Sequence, residues 1–161
     1  MVCAFTGHRP QKLPWGSNET DPRCLAVKEM IRRRLEEAYG LGCREFLCGM
    51  AQGCDTYFAE AVLNLRQQKP DVRLVAMIPW PGQANSWSES DRLRYERLCS
   101  LCDSREVLEP HYSKGCALRR NSCMVSRAQV LISVYDGSCS GTGNTVRQAK
   151  KLGLHILAVW L

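Results

Sequence analysis

The chain has 161 residues, 45% of them apolar and 24% charged, which is enough for one domain with a sizeable core and too little for two full-sized ones. This balance excludes a disordered tail or a fibre. The 22 Lys and Arg against 16 Asp and Glu leave +6, a mild field that attracts phosphate or nucleic acid without requiring either.

Val2 to Thr6 is a short apolar run ending at Gly7, and Cys24 to Tyr39 carries Val27, Ile31, Leu35 and Ala38 at helical spacing. Within that helix, Arg32 with Glu36 and Arg33 with Glu37 fall four residues apart, which makes the basic run Arg32 to Arg34 a solvated, self-paired face. Arg44 to Cys48 is a second strand ending at Gly49, followed by a helix with Phe58, Ala61, Val62 and Leu65 on one face. Val72 to Ile78 is the third strand. A proline- and tryptophan-bearing loop from Pro79 to Trp87 precedes a helix carrying Leu98, Leu101 and Cys102, with Ser86 and Glu89 as a capping box.

Glu106 to Leu108 is a short fourth strand and Ala117 to Ala128 a helix with Met124, Val125 and Ala128 inward. Val130 to Tyr135 is a strand; Thr142 caps a last helix through Leu152, closed by Gly153, and His155 to Leu161 is the final strand. Short, uniformly apolar strands alternating with amphipathic helices predict a single Rossmann-like α/β domain over residues 1–161. Its three layers enclose a mostly parallel sheet of about six strands.

In such sheets a ligand sits outside the carboxyl ends of the strands, near the point where strand order reverses. Three loops are thereby expected to meet, beginning at Gly7, Gly49 and Asp136. The stretch Gly49 to Asp55 has small residues, including Ala51 and Gly53, that let backbone N–H groups approach an anion at a helix start. Asp55 either caps that helix or contacts ribose hydroxyls. Asp136 to Asn144 has the same placement, with Gly141, Thr142 and Gly143 at the turn, and reads as a second phosphate cradle or as an ordinary connection. Neither loop has the GxxxxGK[ST] spacing, and GxGxxG does not follow the first strand.

Thr6, Gly7, His8 and Arg9 leave the first strand together. Arg9 supplies a fork for phosphate; His8, without an evident carboxylate partner, reads as a binding or structural residue. Trp80, Gln83 and Trp87 are placed to stack on a base and read its edge, or to pack under the loop. Arg120 and Asn121, near a helix start, face the site or solvent.

Ten cysteines follow an N-terminus with no charged region or long apolar stretch, which points to a cytoplasmic protein with packed thiols. No run approaches the roughly 18 apolar residues of a membrane span. Cys99 and Cys102 form the only CxxC and lack a second pair, so no metal site is expected.

Phe5-Thr-Gly-His-Arg-Pro10, Gly49-Met-Ala-Gln-Gly-Cys-Asp55 with Ala59 and Glu60, Ile78-Pro79 with Gln83 and Trp87, and Arg120-Asn121 together resemble the YpsA-like branch of the SLOG superfamily. That superfamily unites the DNA-processing protein A family with the LOG nucleotide-phosphoribohydrolases. The resemblance implies a Rossmann-like fold whose glycine loops receive nucleotides or nucleotide-derived ligands. It implies no required cofactor, and it allows a homodimer. LOG enzymes carry PGGxGT followed by a catalytic glutamate, whereas here Gly141 and Thr142 are followed by Asn144. The expected function is therefore binding of a mononucleotide, ADP-ribose or NAD-like ligand as sensor or processor. The alternatives are a phosphoribohydrolase-like enzyme, with Asp55, Glu60 or His8 orienting water, and a single-stranded DNA-binding protein.

Overall fold

The computed structural model describes residues Met1–Leu161. Six strands and five α-helices alternate: β1 (Val2–Gly7), α1 (Pro22–Gly40), β2 (Glu45–Cys48), α2 (Cys54–Gln68), β3 (Arg73–Ile78), α3 (Glu89–Leu101), β4 (Ser104–Val107), α4 (Cys116–Arg127), β5 (Val130–Tyr135), α5 (Gly141–Lys151) and β6 (His155–Trp160). All six strands are parallel, in the order β4-β3-β2-β1-β5-β6.

The chain builds outward from β1 to β4, then returns to lay β5 on the other side of β1. Helices α1, α2 and α3 cover one face and α4 and α5 the other, as right-handed crossovers require when the direction of winding reverses. Alternate strand residues feed the two faces. Phe5, Phe46, Ile78 and Ile132 join the larger core, where Phe58 of α2 stacks on Phe5 at 4.3 Å between ring centroids. Ala4, Leu47, Met77 and Leu131 join the smaller core with Met124, Val125 and Val146. No helix is long and apolar enough to cross a membrane.

Several boundaries differ from the sequence reading. The first helix starts at Pro22, with Asp21 accepting the Arg23 N–H at 2.8 Å; the apolar pattern first shows only at Cys24 because the opening turn is exposed. Ser88, not Ser86, caps α3 by accepting the Asp91 N–H, and Leu101 is exposed. Ser140, not Thr142, caps α5 by accepting the Gly143 N–H at 3.0 Å. The fourth strand begins two residues early and lies at the sheet edge with Arg105, Glu106 and Val107 exposed, which is why its apolar signal is weak. Arg33 pairs with Glu29 rather than Glu37, whose partner is Arg34, although the face is self-paired as expected. All ten cysteines are free thiols and seven are buried.

Candidate functional site

The switch of strand order between β1 and β5 opens a crevice, because the segments leaving these neighbours run to helices on opposite faces. The three expected loops do meet there. The His8 N–H donates to Val134 O at 3.2 Å, and the Cys54 N–H donates to His8 O at 3.2 Å. The His8 ring, 2% exposed, places Nε2 at 2.9 Å from Asp136 Oδ1. His8 therefore has a carboxylate partner, contrary to the sequence reading; the two lie 128 positions apart, and only the β1–β5 adjacency brings them together.

Above this junction lies a cleft of about 280 Å³. Ten of the expected residues line it: Thr6, Gly7, His8, Arg9, Ala51, Asp55, Arg120, Asn121, Gly141 and Thr142. Sequence reasoning missed Lys12, Ala117, Leu118 and Ser140, which line it too. Ser140 had a detectable signal, a serine just ahead of a helix start; Lys12 had none.

The first turns of α4 and α5 both border the cleft. A helix leaves its first four N–H groups without intrahelical partners. Here Cys116 and Arg119 donate to Ser113 O and Gly115 O, while Gly143 and Asn144 donate to Ser140. The N–H groups of Ala117, Leu118, Gly141 and Thr142 are left without partners inside the protein. Two positive helix ends thus border one cavity. Arg9 is exposed, and neither it nor Lys12 pairs with a carboxylate, unlike the arginines of α1.

Beneath the cleft lies Arg120, 2% exposed. Its Nη1 donates to Gly49 O and to Met77 O, the latter at 3.0 Å, and its Nε donates to Asn121 Oδ1 at 2.7 Å. Nη2 has no partner within the protein. Asn121 in turn donates to Thr145 Oγ1, tying α4 to α5. The guanidinium lies across Gly49 so closely that a Cβ there would come within 2.6 Å of it, and within 2.9 Å of Asp55 Oδ2. Burial lowers the Arg120 pKa and raises that of Asp55; each partner's charge opposes the shift in the other.

The Gly49–Asp55 segment is largely self-satisfied. Asp55 accepts the Ala51 N–H at 3.0 Å, and Gly53 adopts φ 81°, with the site of a Cβ only 2.9 Å from His8 O. Met50 is the one non-glycine residue with positive φ, at 57°. Gln83 lies outside the cleft, donating from Nε2 to Gly49 O and Met50 O, both at 3.2 Å. Trp87 packs edge-on against Tyr95 and the larger core, with its loop bordering a neighbouring groove. Glu60 is held by Arg94, away from the cleft.

The model of the YspA SLOG family matches residues 3–153. The chain belongs to this family. The YspA SLOG match spans all three loops and both helix starts at the cleft. Similar curated proteins include a UPF0398 protein of Bacillus velezensis, 27% identical over 154 residues, with 93% of this chain and 84% of that protein covered. A UPF0398 protein of Bacillus anthracis is 26% identical over 156 residues, covering 93% of this chain and 82% of that protein.

Among solved structures, this YspA SLOG chain is similar to DNA processing protein A from Helicobacter pylori, described for its single-stranded DNA binding mode (TM-score 0.63, 16% identity, 98% of this chain). It is also similar to DNA processing protein A from Streptococcus pneumoniae (TM-score 0.61, 16% identity, 98% of this chain). The chain spans 64% and 49% of those two proteins. At such identity the likeness is one of fold.

Proposed function

We propose that the cleft binds a nucleotide or nucleotide-derived phosphate ligand, such as a mononucleotide, ADP-ribose or an NAD-like molecule. The observation that carries this reading is the convergence of the α4 and α5 first turns, with four unpartnered N–H groups, on a cavity bordered by the unpaired cations Arg9 and Lys12. Unsatisfied amides, helix dipoles and free positive charge together favour a phosphate. The buried Arg120 adds an unpartnered Nη2 from below. A cavity of about 280 Å³ suits a mononucleotide-sized portion of a ligand.

The test is titration calorimetry and thermal shift with AMP, ADP-ribose and NAD. Saturable binding with ligand-dependent stabilisation is expected, and a flat response to all three refutes the reading. Free base or phosphate appearing in the same incubations would identify a processor rather than a sensor, with His8, which lines the cleft and is held by Asp136, as the acid–base group.

A second reading is single-stranded DNA binding, favoured by the fold shared with the Helicobacter pylori protein. It predicts a gel shift with a short oligonucleotide that weakens steeply with salt. A blank gel at low salt removes it.

A further inference from the structure

A groove of about 500 Å³ adjoins the cleft, sharing Arg9, Ala117 and Leu118 with it and reaching Trp80 and Tyr112 at its far side. Both aromatic rings lie outside the two hydrophobic cores, unlike Trp15 and Trp87, so they are not committed to holding the fold together. Their placement is nevertheless constrained. The Trp80 indole lies across the Cα of Gly82, where an added Cβ would meet Cζ3 at 2.1 Å and Cη2 at 2.2 Å. Only glycine at 82 permits that pose. Tyr112, 66% exposed, meets the indole edge-on at 5.8 Å between centroids and 69° between planes.

A fixed, partly open indole beside an anion-binding cleft is suited to stacking an aromatic ring. We infer that the groove is the ring subsite of the same ligand, whose base stacks on Trp80 with Tyr112 flanking it while its phosphate occupies the cleft. Arg9, lining both cavities, bridges the two parts. The ligand class is thereby narrowed to phosphates that retain their base, as opposed to sugar phosphates. This inference rests on the phosphate-binding reading of the cleft, and its test separates the two.

Calorimetry compares AMP with ribose 5-phosphate on the full chain and on Trp80→Ala, Trp80→Phe and Tyr112→Ala. The parent should bind AMP roughly tenfold more tightly than ribose 5-phosphate, the scale of one stacked base. Trp80→Ala should close that gap with ribose 5-phosphate affinity unchanged. Trp80→Phe should keep most of the gap and abolish the AMP-induced change in tryptophan emission. Tyr112→Ala removes an exposed side chain, so it is expected to fold, and it should narrow the gap at least threefold; it decides the matter if Trp80→Ala does not fold. Equal affinity for the two ligands in the parent, or a gap unmoved by these substitutions, overturns the ring subsite and leaves the cleft reading intact. Failure of the parent to bind either ligand, with ADP-ribose and NAD equally silent, overturns both.

Discussion

Arg9→Ala separates binding from folding. The Arg9 side chain is exposed and has no carboxylate or hydrogen-bond partner in the protein, yet it lines both the cleft and the neighbouring groove. Surface substitutions of this kind change stability by no more than about 0.5 kcal/mol. In a chain of this size that moves Tm by less than about 2 °C. A charge-assisted hydrogen bond to phosphate contributes about 1.5–3 kcal/mol, which converts to roughly a 10- to 150-fold loss of affinity. Exposure and salt screening favour the lower end, so AMP should bind about tenfold more weakly, with a larger loss at low ionic strength. Arg9→Lys, which keeps the charge and loses the fork, should fall between. Calorimetry and thermal melts on the same preparations supply both numbers. A parent that binds AMP and an Arg9→Ala variant with a Kd within twofold of it would refute the reasoning.

Other substitutions probe the floor of the cleft. Gly53→Ala places a side chain at φ 81° and 2.9 Å from His8 O; a loss of about 1–3 kcal/mol is expected in denaturant unfolding, and an unchanged midpoint would contradict the geometry. Arg120→Met deprives Met77 O of its guanidinium donor, while Gly49 O retains the Gln83 amide. Set against relief of a buried charge, the net cost should be about 1–3 kcal/mol, seen as a Tm lower by roughly 2–10 °C; a higher Tm would show that the buried charge dominates. Burial raises the Asp55 carboxyl above its ordinary value of 3.8, so its contribution to stability is fullest below that pH and declines as pH rises through the raised value. Asp55→Asn should therefore melt above the parent at neutral pH, with the difference closing toward pH 4. A pH-independent difference would argue against a raised carboxyl.

The alternation of strands and helices was legible because each strand of a parallel sheet is buried on both faces and must be apolar throughout, as Val130–Tyr135 is. Where that condition lapses, so does the signal: Ser104–Val107 forms an exposed edge, and its sequence pattern marks a strand only from Glu106. Caps were legible only as to type. Ser86 and Ser88 both suit a helix start, and the choice depends on the turns from Pro79 to Trp87 that the tertiary contacts of Trp87 and Gln83 hold in place. The glycines of the Asp136 loop read equally as a phosphate cradle or an ordinary connection, and the signal that Ser140 carries, a serine just ahead of a helix start, is the one that matches the cap of α5.

What the sequence determined by itself is the α/β class, the succession of elements and the three loops at the strand ends, since all of these follow from local periodicity and the winding rule for parallel sheets. Only the tertiary structure decided which strands are neighbours, because strand order is a long-range property that alternation leaves open. The pairing of His8 with Asp136 across 128 positions, the convergence of the α4 and α5 first turns, and the burial of Arg120 beneath Gly49 all depend on β5 returning to the side of β1.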